Sequence, residues 1–201
     1  MIVVAYAIAA FLIGSIPFGY VIGRFIHRTD IREQGSGNIG AMNTLRTFGK
    51  TSAIAVLLLD AAKGFVPTFI LAQRTIARDD LVALVAIAAV LGHCFSPWLG
   101  WRGGKGVATA FGAIFALSWQ AGLVSVATWI LGALVITQFS SVGSILATLI
   151  SPFALFAFTG SLAYAAFGFL ATLLVIYTHR ENIARLRAGS ESRIRLFKSK
   201  G

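Results

Sequence analysis

Three polar segments and a few isolated groups hold the chemistry this sequence offers. The first segment runs Gly35-Ser36-Gly37-Asn38-Ile39-Gly40-Ala41-Met42-Asn43, with Arg46 a turn beyond. Glycine opens backbone conformations at φ > 0. Successive N–H groups in such a run can converge into an anion-binding concavity. A plain connector needs turn residues, but not a serine, two asparagines and an arginine together. The second segment is Trp101-Arg102-Gly103-Gly104-Lys105-Gly106, followed by Val107-Ala108-Thr109 and an apolar helix. Paired glycines and a lysine before a helix N-terminus suit a phosphate, since free N–H groups and the helix dipole both favour an anion. The spacing is not that of a P-loop, and a lysine snorkelling to a membrane interface is the plainer alternative. The third segment, His179 to Glu191, reads HRENIARLRAGSE. A basic amphipathic tail on anionic lipid explains its arginines but gives Asn182 no task.

Asp60 and Lys63 sit one turn apart inside an apolar stretch, so they can meet on one helix face. Ionisable groups at such depth face the interior of a helix bundle or a cavity. A structural ion pair explains them as well as a site does. His93 lies in Gly92-His93-Cys94-Phe95-Ser96-Pro97. With only His27 and His179 besides it, and Cys94 the sole cysteine, no zinc set and no intrachain disulfide can form. Ser36 and His93 could pair as nucleophile and base, but no G-x-S-x-G elbow supports this.

These segments must be positioned by helices in a bilayer. The 201 residues are 57% hydrophobic and 12% charged, about half the charge of a soluble domain, and the mean hydropathy is +0.83. One domain spanning 1–201 is expected, all-α and polytopic. A span needs about 20 apolar residues. Residues 2–23, 51–73 and 81–98 each fit. The stretches 107–137 and 142–178 are longer: 31 residues of helix would run about 46 Å, beyond the ~30 Å hydrocarbon core. Breaks are expected at Ser118–Gln120 and near Gly160, giving seven transmembrane helices, or five if both long stretches cross once.

The net charge is +10. With no soluble region to hold a nucleic acid, the excess reads as cytoplasmic loops under the positive-inside rule. Arg28, Arg32, Arg46, Lys50, Arg102, Lys105, Arg180, Arg185, Arg187, Arg193, Arg195, Lys198 and Lys200 all fall on one side. The other side holds Arg74 and Arg78, offset by Asp79 and Asp80. Residues 1–23 carry no charge, and the first basic residues, Arg24 and Arg28, follow the apolar run. An uncleaved first span is expected, with its N-terminus outside and the C-terminus cytoplasmic.

Five motifs in order resemble one family. They are GSIPFGY at Gly14 to Tyr20, GSGNIGAMN at Gly35 to Asn43, LDAAKG at Leu59 to Gly64, GHCFSPWLGWRGGKGVAT at Gly92 to Thr109, and HRENIARLRAGSE at His179 to Glu191. The order is similar to that of the bacterial acyl-phosphate:glycerol-3-phosphate acyltransferases, integral-membrane enzymes, and the likeness covers the whole chain. Met42 departs from it, since the family usually has threonine there.

The resemblance implies transfer of a fatty acyl group from a long-chain acyl phosphate to the sn-1 hydroxyl of glycerol 3-phosphate. The products would be lysophosphatidic acid and phosphate, in the first acylation of phospholipid synthesis. It implies a seven-helix enzyme of the bacterial inner membrane, its active site facing the cytoplasm. Membrane lipid is an expected partner, the enzyme producing the acyl phosphate a candidate one. No cofactor, metal or nucleic acid is expected. Ser36, Lys105 and His93 are the expected catalytic groups. Asn43, Arg46, Lys105 and His93 would hold glycerol 3-phosphate. Ser36, Gly37, Asn38, Gly103, Gly104 and Asn182 would cradle the acyl phosphate, supported by Asp60, Lys63, Arg102 and Glu191. The His-x-x-x-x-Asp pair of other glycerolipid acyltransferases is absent, because Arg32, Trp98 and Ala184 stand five residues beyond the three histidines. Direct transfer is therefore expected, a substrate phosphate oxygen taking the hydroxyl proton. The principal alternative is a membrane transporter of a phosphate ester or other anion. The one-sided placement of the polar motifs speaks against it, because transporter sites lie near the midplane. A lipid-phosphate phosphatase would need a spaced histidine pair that is not found.

Overall fold

The computed structural model describes residues 2–74 and 78–194. Arg195, Lys198 and Lys200 of the basic tail lie outside the described residues. Among the described residues there are helices and turns but no strand. In chain order the helices are α1 (Ile2–Ser15), α2 (Phe18–Phe25), α3 (Ala41–Phe48), α4 (Lys50–Ala72), α5 (Asp79–Cys94), α6 (Val107–Leu117), α7 (Trp119–Ile130), α8 (Ser140–Thr159), α9 (Leu162–Thr178) and α10 (Arg180–Arg187). Short 3-10 turns occupy Ile31–Glu33 and Pro97–Leu99, and a widened π turn, Leu131–Ile136, prolongs α7.

The breaks follow from local chemistry. Proline disfavours helix at the residue before it, and α1 stops two residues before Pro17. The apolar unit Val4–Phe25 still counts as one candidate span across that bend. At the head of α7, Ser118 is extended at φ −159 and its hydroxyl accepts the Ala121 N–H. Gly160 ends α8 in the left-handed region at φ 68, and the Ser161 hydroxyl caps α9. Both long apolar stretches thus break where the sequence reading puts the breaks.

Length gives a lower count than the seven helices expected. Five helical units are long and apolar enough to cross a membrane, and Leu162–Thr178 with Arg180–Arg187, bent by 57°, makes up to six. The 11 residues of α6 rise only about 16 Å, half the ~30 Å core.

Small residues bring these helices close. A Cβ on Gly64 would lie 1.9 Å from the Thr109 carbonyl oxygen, and one on Gly112 would lie 1.9 Å from that of Ala61. The backbones of α4 and α6 therefore touch, and the Thr109 hydroxyl donates to the Asp60 carbonyl at 2.9 Å. Gly14 and Gly92 make the same close approach between α1 and α5. Large apolar side chains such as Phe153, Leu162 and Phe169 point outward and are exposed. Bilayer hydrocarbon, not a protein core, is their natural solvent.

Candidate active site

The loop from Gln34 to Gly40 is tied to one side chain. Asn43, on the first turn of α3, is buried. Its Oδ1 accepts the Ser36 N–H at 2.9 Å. Its Nδ2 donates toward the carbonyls of Gln34 and Asn38 at 2.9 Å and of Ile31 at 3.3 Å. The amide closes the loop on itself, so its donors are taken. This corrects the expectation that Asn43 grips a phosphate directly. Gly37 (φ +70) gives its N–H to the Gln34 carbonyl and stands off the cavity lining. Asn38 Oδ1 turns the loop by accepting the Gly40 N–H, which leaves its Nδ2 for a ligand. Ser36 is exposed, and its hydroxyl makes no hydrogen bond among the described residues. Arg46 is exposed at the end of α3, with no acidic partner among the described residues.

The Gly103–Gly104 pair serves a different purpose from the one expected. Gly103 N–H donates to the Cys94 carbonyl and Gly104 N–H to the His93 carbonyl, both at 3.0 Å. A Cβ on Gly103 would lie 2.0 Å from the His93 carbonyl oxygen, and one on Gly104 would lie 2.2 Å from His93 Nε2. The glycines let this loop clamp the end of α5. Neither lines the cavity, and neither N–H is free for an anion, which corrects their expected part in the phosphate cradle. Arg102 is exposed and also stands off the lining.

Lys105 does face the cavity. Its ammonium donates to Asn182 Oδ1, and the Thr178 hydroxyl donates to its carbonyl at 3.1 Å. Burial pushes the Lys105 ammonium down to about 8; Glu191 opposes this, while Arg185 and Arg46 reinforce it. Asn182 is held from its other end, where Nδ2 donates to Glu191 Oε1 at 2.6 Å. Glu191 also accepts from Ser141 at 2.9 Å and from Arg185 Nε at 2.8 Å. One carboxylate thus clasps α8, α10 and the chain beyond α10, and aims Asn182 at Lys105.

Deeper lies a buried set. Lys63 Nζ is 2.8 Å from Asp60 Oδ1, 2.8 Å from the Ile16 carbonyl and 3.0 Å from His93 Nδ1. His93 bonds Lys63 rather than Ser36, so the two do not form a nucleophile–base pair.

These groups surround one cavity of about 820 Å³. Its polar part holds Ser36, Asn38, Asn43, Arg46, Asp60, His93, Lys105, His179, Asn182, Arg185 and Glu191. Its apolar part is walled by Leu57, Leu58, Ala61, Phe65, Phe111, Phe115, Val126, Trp129 and Ile130. An amphipathic ligand fits such a space, anionic at the cation-rich end and aliphatic at the other. Met42 lines it too, where a threonine would offer a hydroxyl.

His179, Arg185, Ser140, Ser141 and Ser144 line this cavity and were not singled out as site residues from sequence. His179 and Arg185 are embedded in a basic tail that lipid attraction alone explains. The serines lie at the head of an apolar stretch and look like its entry turn. The one available signal was that His179 follows the last apolar residues directly. Its Nδ1 donates to the Val175 carbonyl at 2.8 Å.

Comparison with known proteins identifies the family and the fold. The sequence-family model for glycerol-3-phosphate acyltransferase matches residues 4–189. A glycerol-3-phosphate acyltransferase of Synechococcus sp. (strain JA-2-3B'a(2-13)) is 44% identical over 187 residues, covering 93% of this chain and 92% of that one. One of Thermotoga petrophila is 43% identical over 196 residues, covering 96% and 97%. Among solved structures, the glycerol 3-phosphate form of PlsY (YgiH), an integral membrane glycerol 3-phosphate acyltransferase, superposes with a TM-score of 0.91 at 37% identity, covering 97% of this chain and 96% of that one. Its lysophosphatidic acid form gives 0.89 at 36%, with the same coverage.

Proposed function

The chain belongs to the glycerol-3-phosphate acyltransferase family, a multi-pass membrane acyltransferase, and from that premise we propose that its acyl donor is a long-chain acyl phosphate and its product 1-acylglycerol 3-phosphate. The observation that carries the reading is a cavity in which cationic groups and an apolar wall meet. An acyl phosphate has its reactive carbonyl at the junction of an anionic head and an aliphatic tail. The cavity has the same division.

The reaction asks more for positioning than for activation. A mixed anhydride already has a good leaving group. The obstacle is mutual repulsion of two phosphates that must come together. Arg46, Arg185 and Lys105 offset that repulsion, arginine by its bidentate fork and lysine as a point charge. Holding both substrates in attack geometry supplies up to about 7–11 kcal/mol in well-oriented systems. We assign glycerol 3-phosphate to Arg46, Lys105 and His93, and the acyl-phosphate head to Ser36, Asn38 and Asn182. Asn43 and Gly37 shape the loop that presents Ser36. Glu191 holds Asn182. The tail lies between α4, α6 and α7. A substrate phosphate oxygen takes the hydroxyl proton, and no acyl-enzyme forms.

We further propose seven membrane helices, with α6 and α9 joining the five long units, the N-terminus outside and the site facing the cytoplasm of a bacterial inner membrane. The one-sided basic residues support this orientation.

The test supplies purified protein with labelled glycerol 3-phosphate and palmitoyl phosphate, palmitoyl-CoA or palmitoyl carrier protein. Labelled lysophosphatidic acid from the acyl phosphate alone is expected. Product from a thioester alone refutes the donor assignment. No product from any donor, together with uptake of label into liposomes, favours the transporter.

A further inference from the structure

We infer that Lys63, which does not border the cavity, is a positioning residue that fixes His93 as a hydrogen-bond donor to the substrate. An ammonium carries three N–H donors and no lone pair. Lys63 Nζ has three acceptors within reach: Asp60 Oδ1 on its own helix, the Ile16 carbonyl at the bend between α1 and α2, and His93 Nδ1 on α5. Each hydrogen has one destination. The side chains of Lys63, Asp60 and His93 are all at least 96% buried, so water does not compete for these bonds.

The third bond decides the chemistry of His93. Because Nδ1 faces a donor, it presents its lone pair, and the ring hydrogen is on Nε2. Nε2 lies beside Gly104, where any side chain would collide with it; it has no hydrogen-bond partner among the described residues, keeps accessible surface, and belongs to a residue that borders the cavity. A second ring hydrogen would have to enter on Nδ1, directly against the ammonium at 3.0 Å, while the Asp60 carboxylate stands farther off at 3.7 Å, beyond hydrogen-bond reach. His93 is thereby held neutral, with an N–H toward the cavity and no lone pair there. It donates to a substrate oxygen and does not serve as a general base.

The other cavity histidine is set the opposite way. His179 Nδ1 meets a carbonyl, which only accepts, so its hydrogen is on Nδ1 and its lone pair on Nε2. The two histidines differ in polarity because one meets an ammonium and the other a carbonyl. His179 therefore provides an internal control.

The inference rests on the reading above that His93 meets the substrate, and its first test does not use that reading. Nitrogen-15 NMR of histidine-labelled protein, without substrate, should show His93 in the Nε2–H form and His179 in the Nδ1–H form. His93 in the Nδ1–H form overturns the inference whichever acyl donor the protein uses. The second test is the double variant Asp60→Leu with Lys63→Met. Replacing a buried ion pair by apolar groups of similar volume is often neutral for stability, so the bundle should melt near the wild-type temperature. Its His93 should lose the single tautomer, and kcat/KM should fall about 10- to 100-fold, the range for a hydrogen bond to a charged group. Loss of the tautomer with unchanged kcat/KM refutes the positioning role. The third test needs no change at Lys63. His93→Gln keeps an N–H donor near the Nε2 position and should retain at least tenfold more activity than His93→Leu. Equal inactivity of the two would assign His93 to acid–base work and overturn the proposal.

Discussion

Asn43→Asp is nearly isosteric and separates a loop knot from a phosphate ligand. In the wild type, two Nδ2 hydrogens serve three carbonyls, and Oδ1 takes the Ser36 N–H. The substitution keeps the contact to Ser36 and replaces the donor by a second oxygen facing carbonyls. Two hydrogen bonds at ~1 kcal/mol each are lost, and an unpaired buried carbonyl adds ~1–3 kcal/mol. The loop is thus destabilised by about 3–5 kcal/mol, or roughly two to three and a half powers of ten in occupancy at ~1.4 kcal/mol per decade. The knot lies beyond the ends of the long helices, so the bundle itself should melt at nearly the same temperature. Ser36, Asn38 and Arg46 are placed by this loop, so kcat/KM should fall about a hundredfold to a few thousandfold for both substrates. Limited proteolysis should cut between residues 34 and 43. The result that refutes this reasoning is a raised KM for glycerol 3-phosphate alone, with the loop still resistant to protease. That outcome would restore the direct phosphate contact read from the sequence.

Other perturbations probe other links. The Lys105 ammonium, pushed down to about 8 by burial, is charged below that pH and neutral above it, so kcat/KM should fall as pH rises through about 8. Lys105→Arg should remove that alkaline limb in a pH-rate profile, even at lower absolute activity. Gly112→Val places a Cβ 1.9 Å from the Ala61 carbonyl oxygen. It should force α4 and α6 apart at a cost of about 1–3 kcal/mol or more, seen as a lowered melting temperature in detergent. Phe65 and Phe115 border both the main cavity and a second, mostly apolar one of about 430 Å³. Phe115→Ala should join the two and shift activity toward longer acyl chains in a chain-length series; an unchanged profile would mean that the tail leaves the cavity before reaching Phe115.

What could be read without coordinates depended on whether a signal is local. The break at Ser118 was legible because helix length is arithmetic, and a polar pair inside 31 apolar residues has few other uses. For Asp60 and Lys63, i,i+3 spacing on a helix says that the two can meet, and the structure shows that they do, at 2.8 Å. The pair's link to His93 was not legible, since that contact joins residues 30 apart on different helices. Gly103 and Gly104 show why the phosphate-cradle reading failed. A glycine pair before a helix serves equally to expose N–H groups to an anion or to let two backbones approach. The choice depends on whether those N–H groups find carbonyls, and the carbonyls are those of His93 and Cys94 at the end of α5. Asn43 failed for a related reason. An asparagine near glycines has the same donors whether they meet a phosphate or the loop's own carbonyls. A buried amide goes first to the acceptors that folding itself has desolvated. The same rule turns Glu191 from a tail residue into a clasp, because the groups it binds, Ser141, Asn182 and Arg185, are brought together only by the fold. At the cavity, the Ser36 hydroxyl, Asn38 Nδ2 and the Arg46 guanidinium keep donors that no hydrogen bond among the described residues takes up, and a substrate can claim them.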